Sequence, residues 1–205
     1  MAEPFTRLTA LPAPLIRDNV DTDMIIPSRE MRSTGRSGLA AGLFAPWRYR
    51  DPDARVEDPD FILNQPRFRG SPILLGGANF GCGSSREHAV WALAEFGIRA
   101  VIAPGFAPIF AGNCVRNGIV PAAIPADAVA AIAAADAPVT VDLETSTVSL
   151  ADGPSWPFAL AEDDRAMLLH GLNAITLTMR HEADIAAFLA RDRAARPWVY
   201  PGATP

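Results

Sequence analysis

The sequence runs to 205 residues, 49% of them hydrophobic and 20% charged, which is enough apolar material for one sizeable core and unlike a disordered or fibrous chain. Its 18 basic and 23 acidic residues give a net charge of −5 with no long basic run, which argues against a phosphate-backbone footprint and so against nucleic acid. Every basic residue is an arginine, and a Schiff base, a pyridoxal phosphate anchor and a Walker A loop all need the lysine that is absent. Small carboxylates still suit such a chain, because guanidinium binds them through paired hydrogen bonds. No apolar stretch approaches the roughly 20 residues that span a bilayer, and the first five residues lack the basic and apolar regions of a secretory signal. The cytoplasm is therefore the expected location, with no membrane partner. The two cysteines, Cys82 and Cys114, form no CxxC and no Cys/His cluster. They exclude a disulfide scaffold, a zinc ribbon and any metal or iron–sulfur site held by this chain's thiolates alone.

Residues 8–26 read as short extended pieces broken by Pro12, Pro14 and Asp18-Asn19. Residues 28–42 combine Arg29, Arg32 and Arg36 with Gly35, Gly38 and Gly42 and read as a mobile, arginine-rich loop, whereas the polar, proline-punctuated span 48–69 suggests a surface excursion. The apolar run 72–75 predicts a buried strand feeding Gly76-Gly77 and then Gly81-Cys82-Gly83. Ala89, Ala92, Leu93 and Phe96 recur at helical spacing and stop at Gly97. A strand over 99–103, a helix over 106–117 ended by Gly118 and a strand over 119–124 follow. Next come an alanine-rich helix at 126–135, a hairpin of 139–143 with 147–150, and helices at 163–171 and 181–193. The strand–helix alternation of the middle third predicts an α/β fold. With no repeat and no linker, a single domain over 1–205 is expected.

The chemistry concentrates in Gly81-Cys82-Gly83-Ser84-Ser85-Arg86-Glu87-His88, between a predicted strand and a predicted helix. Ser84 and Glu87 have the spacing of a capping box, which would make Ser84 the N-cap and start the helix near Ser85. A helix N-terminus with free N–H groups, a nearby guanidinium and two glycines that let backbone approach a ligand would suit a carboxylate. Spacing alone weighs this evenly against a plain helix start with a surface arginine. A dinucleotide fingerprint and a nucleophile elbow both fail, since each requires glycine where Arg86 stands. Cys82 reads as a half-buried core thiol and His88 as a structural histidine in preference to nucleophile and base.

The runs Asn19-Val20-Asp21-Thr22-Asp23-Met24-Ile25-Ile26-Pro27, Asn79-Phe80-Gly81-Cys82-Gly83-Ser84-Ser85-Arg86-Glu87-His88-Ala89, Phe106-Ala107-Pro108-Ile109-Phe110 and Asn117-Gly118-Ile119-Val120-Pro121 together resemble the small subunit of 3-isopropylmalate dehydratase. That family corresponds to the swivelling domain of aconitase, and the likeness extends over about residues 12–189. The resemblance implies an aconitase-type α/β swivelling domain, a mixed β core flanked by helices. It also implies a hydro-lyase that isomerises 2-isopropylmalate and 3-isopropylmalate in leucine biosynthesis, active only with a large subunit that carries a [4Fe–4S] cluster. By position Ser84 is then the catalytic base, Ser85 and Arg86 hold substrate carboxylates, and Asp23 supports the site by hydrogen bonding. Arg36 matches a second carboxylate-binding arginine, and Arg32 would read a third carboxylate on a larger acid. One stretch departs from the family. Where an aromatic–leucine pair is usual after Ile26-Pro27, this chain has Glu30-Met31-Arg32, in the loop that reads the substrate's side group. Citraconate, a dimethylmaleate or homoaconitate are the alternative substrates, and a non-catalytic anion- or RNA-binding module is the alternative of another class.

Overall fold

The computed structural model describes residues 3–31, 35–84 and 86–200. In chain order it contains β1 (Arg7–Ala10), β2 (Ala13–Leu15), α1 (Thr22–Ile25), α2 (Ala45–Arg48), β3 (Tyr49–Asp51), β4 (Val56–Glu57), β5 (Ile73–Gly76), α3 (Glu87–Phe96), β6 (Ala100–Ala103), α4 (Pro108–Arg116) and β7 (Val120–Ala123). The chain continues through α5 (Ala126–Ala135), β8 (Val139–Asp142), β9 (Thr147–Leu150), β10 (Ser155–Pro157), α6 (Glu162–His170), α7 (Ala174–Thr178) and α8 (Glu182–Ala195).

Two sheets organise these elements: a parallel one in the order β2-β5-β6-β7 and an antiparallel one in the order β1-β8-β9-β10. β5 and β6 are buried at every position, as strands covered on both faces must be, and they are therefore continuous apolar runs. Alternation along them divides the interior. Leu74, Val101 and Ala103 face a core shared with Leu93 of α3 and with Phe110 and Cys114 of α4. Ile73, Leu75, Ala100 and Ile102 face a second core with Val129 and Ile132 of α5 and the inner face of the antiparallel sheet. α3 stops where expected: Gly97 turns left-handed at φ 101 and its N–H returns to the carbonyls of Leu93 and Ala94. No described helix is long and apolar enough to cross a membrane.

The amino-terminal third differs from expectation in three places. Within 8–26, α1 replaces extended chain, because the Asp21 carboxylate accepts from the Met24 N–H (2.7 Å) and nucleates a turn. The span 48–69 is anchored as well as exposed: Tyr49, Phe61, Leu63 and Phe68 are buried, and the Asn64 amide donates to the carbonyls of Arg48 (2.6 Å) and Asp58 (2.8 Å). Within 28–42, short 3-10 turns form at Ser28–Glu30 and Ala40–Gly42. The Glu95 carboxylate at the far end of α3 accepts from the N–H groups of Gly38 (2.6 Å), Leu39 (2.6 Å) and Ala40 (2.8 Å), which ties the end of that loop down. Burial pushes the Glu95 carboxyl up, and these three N–H groups outweigh it, holding the group below its usual value.

Candidate active site

Beyond β5 the chain continues between two neighbours and lengthens the parallel sheet past its carboxyl ends. On one side the Asn19 N–H donates to the Ala78 carbonyl (2.8 Å), Gly81 N–H to Val20 (2.7 Å) and Thr22 N–H to Cys82 (2.9 Å). On the other, Phe80 N–H donates to Gly105 (3.0 Å) and Ala107 N–H to Phe80 (3.0 Å). This is the edge at which open α/β sheets place their ligands. The two glycines have a role within the chain itself. Gly81 sits at φ 76, where a Cβ would run into the Phe110 ring, and Gly83 at φ 86, where a Cβ would stand 3.2 Å from Asp21 Cβ.

The capping box between Ser84 and Glu87 does not form. α3 begins at Glu87 with Arg86 in the N-cap position, and among the described residues no side chain caps it. At the end of α4 the Asn117 amide instead donates to the Glu87 carboxylate (3.0 Å), which draws that side chain toward α4. Ser84 is left exposed ahead of the helix, its hydroxyl not spent on a cap. Arg86 is half-buried and donates to the Asp23 carboxylate at 2.6 Å, so α1 fixes the direction of the guanidinium while its other donors stay available. Ser84, Arg86 and Asp23 thus lie around one short stretch of backbone. Ser85 and Arg32 fall outside the described residues.

Arg36 comes to the same helix from the loop. Its guanidinium lies 4.7 Å over the Trp91 ring, and the His88 ring packs on that tryptophan with centroids 4.6 Å apart, a structural placement for His88. A cleft of about 560 Å³ is lined by Arg36, Glu87, Arg116, Asn117 and the start of α7. A second hollow of about 600 Å³, bordered by Arg17, Trp47 and Asp60, shares no residue with this group. Sequence reasoning left Trp91 and Asn117 unassigned and gave Glu87 only the capping role that does not form. Asn117 lies in one of the resembling runs, and Trp91 stands one helical turn beyond Glu87, so both were within reach of a helical-face argument.

Glu30 turns inward. Its side chain is 7% exposed, packs on Gly42, and pairs with Arg55 (2.5 Å) and Arg29 (3.6 Å). Neither thiol is placed as a cluster ligand. Cys114 is wholly buried in the core, where desolvation pushes its thiol far up, and Cys82 is half-buried in a bridge to Asp21. Among the described residues no group of three or more His, Cys, Asp or Glu is arranged to hold a metal ion.

A family model described as the aconitase C-terminal domain matches residues 2–127, and one for the C-terminal domain of the 3-isopropylmalate dehydratase small subunit matches residues 175–202. The chain is 54% identical over 204 residues to the 3-isopropylmalate dehydratase small subunit of Cupriavidus necator, covering 97% of this chain and 98% of that one. It is 50% identical over 201 residues to the same subunit of Rhodospirillum centenum, covering 96% and 98%. A crystal structure of a 3-isopropylmalate dehydratase from Methanocaldococcus jannaschii shares the fold, with a TM-score of 0.63 at 24% identity over 88% of this chain and 98% of that one. An aconitase-type sheet edge carrying Ser84 and Arg86, a family model over more than half the length and relatives half identical from end to end converge: the chain belongs to the 3-isopropylmalate dehydratase small-subunit family.

Proposed function

We propose that this chain is the small half of a two-chain hydro-lyase that interconverts 2-isopropylmalate and 3-isopropylmalate by dehydration and rehydration, the isomerisation step of leucine biosynthesis. The observation that supports it best is the exposed Ser84, its hydroxyl not spent on a cap, beside an Arg86 aimed by Asp23, on a sheet edge built from the runs that carry the resemblance. Ser84 Oγ takes the proton from the substrate carbon, the hydroxyl leaves the neighbouring carbon, and the unsaturated diacid is rehydrated in the other sense. Ser85 and Arg86 hold one carboxylate and Arg36 a second, while Asp23 sets the Arg86 guanidinium. A hydroxyl is far too weak an acid to be an alkoxide in water, so Ser84 requires a dry site with oriented donors. In this chain it is exposed, and the large subunit must supply the covering surface. The [4Fe–4S] cluster belongs to that subunit and supplies a Lewis acid for the departing hydroxyl. This chain's thiols do not fit as its ligands.

The placement of Glu30 supports an isopropyl-bearing substrate. A carboxylate facing the isopropyl group would keep the pocket wet. Paired with Arg55 and packed on Gly42, Glu30 is instead part of the framework, and half-buried Met31 is left as the apolar member of the departing stretch. The test is co-expression with the large subunit from the same source, followed by an anaerobic panel of 3-isopropylmalate, citraconate, a dimethylmaleate and homoaconitate. The chain alone is expected to be colourless and inactive. The complex is expected to show its highest kcat/KM on 3-isopropylmalate, with Arg32→Ala changing it little. A brown, active isolated chain overturns the two-chain reading, and a tricarboxylate preference abolished by Arg32→Ala overturns the substrate.

A further inference from the structure

Asn117 ends α4 from a fixed point. Its backbone N–H donates to the carbonyls of Asn113 (3.1 Å) and Cys114 (3.0 Å), Cys114 is fully buried, and Gly118 at φ 77 turns the chain into β7. From there the side-chain amide donates to the Asn113 carbonyl (2.9 Å) and, across to α3, to the Glu87 carboxylate (3.0 Å). Among the described residues no side chain caps α3, and the groups at its start are held by contacts from elsewhere, Glu87 by Asn117 and Arg86 by Asp23. We propose that Asn117 is a positioning residue for the dehydratase reaction: acting through Glu87, it fixes the first turn of α3 and with it the placement of Arg86 and Ser84, which rests on the roles proposed above for those two. The amide also keeps Glu87 occupied. Arg36 and Arg116 line the same cleft, and a released Glu87 carboxylate would turn to one of these guanidinium groups, drawing Arg36 from substrate or shifting the helix start.

The test uses the assembled two-chain enzyme, with kcat and KM for 3-isopropylmalate and the melting temperature recorded for wild type, Ser84→Ala, Asn117→Ala, Asn117→Asp and the double variant Asn117→Asp/Glu87→Gln. Asn117→Asp sets two carboxylates against each other and is expected to lower kcat roughly tenfold to a hundredfold, the scale of a misplaced catalytic group, with KM within about threefold. Asn117→Ala should lose less. In the double variant the new amide on α3 donates to the new carboxylate on α4, restoring the contact between the helices although not the one to the Asn113 carbonyl, and kcat should rise to roughly threefold or more above that of Asn117→Asp. Normal turnover in Asn117→Asp at an unchanged melting temperature overturns the proposal, as does a double variant that fails to recover. If Asn117→Asp does not assemble, the same split of kcat from KM in Asn117→Ala decides. An active Ser84→Ala would remove the functional reading itself and this proposal with it, whereas an inactive Ser84→Ala beside normal Asn117 variants removes this proposal alone.

Discussion

At the start of α7 the Asn173 side chain accepts from the Thr176 N–H (2.8 Å) and the Thr176 hydroxyl accepts from the Asn173 N–H (2.9 Å), so residues three apart satisfy the helix end. At the start of α3 no such closure exists, although the sequence Ser84-x-x-Glu87 offers one. Its polar groups are engaged by partners far along the chain, Arg86 by Asp23 and Glu87 by Asn117, and Ser84 is left over. The α7 end spends its polar side chains on its own cap. At the α3 end the same kinds of group are held by neighbouring elements instead, which leaves the Ser84 hydroxyl unspent.

Variants at the two helix starts separate these plans. At α3, Arg86→Lys removes the two-pronged donor and is expected to lower kcat/KM about tenfold to a hundredfold, equivalent to one charge-assisted hydrogen bond. Steady-state kinetics of the assembled enzyme would measure it, and an unchanged kcat/KM would show that Arg86 is framework only. At α7, Asn173→Ala should cost about 1 kcal/mol of cap energy and lower the melting temperature by about 2–4 °C, with kcat within roughly tenfold of wild type. Thermal unfolding followed by circular dichroism reads it. A larger loss of turnover than of stability would erase the contrast between the two ends.

The smallest effect lies at the other end of α3, where Glu95 binds the loop backbone. Its folded-state pKa lies below the ordinary 4.5, so its contribution is whole above that value and is lost as pH falls through the lower, folded one. Exposure and solvent screening keep the effect modest. Glu95→Gln should lower the melting temperature by about 1–2 °C near neutral pH, a gap that holds to about pH 5 and closes below it. A gap that persists unchanged into strong acid would show that the carboxylate's charge does not matter there.

The α/β middle of the molecule was legible because its signals are local. β5 and β6 are unbroken apolar runs, α3 has a periodic face, and Gly97 and Gly118 stop their helices in the left-handed conformation. α1 was legible in principle, since Asp21 before Thr22 is an N-cap signal, but four residues between prolines show no periodicity. The burial of Phe61, Leu63 and Phe68 is hidden by the polar residues around them. The motif names candidate site residues, yet it does not give their geometry. Glu87 is engaged by an amide 30 residues away, and Glu30 is paired with Arg55, 25 residues away. Long-range partners of this kind leave no spacing in the sequence.

The most direct measurement takes Ser84→Ala, assembled with the large subunit, and records turnover of 3-isopropylmalate and the melting temperature on the same preparation. If Ser84 is the unspent base, kcat falls by roughly 10²–10⁴ with a smaller change in KM, and the melting temperature stays within about 1 °C of wild type because no cap is lost. Near-normal turnover with a melting temperature lowered by about 2–4 °C would contradict the account, showing that Ser84 caps a helix and performs no chemistry.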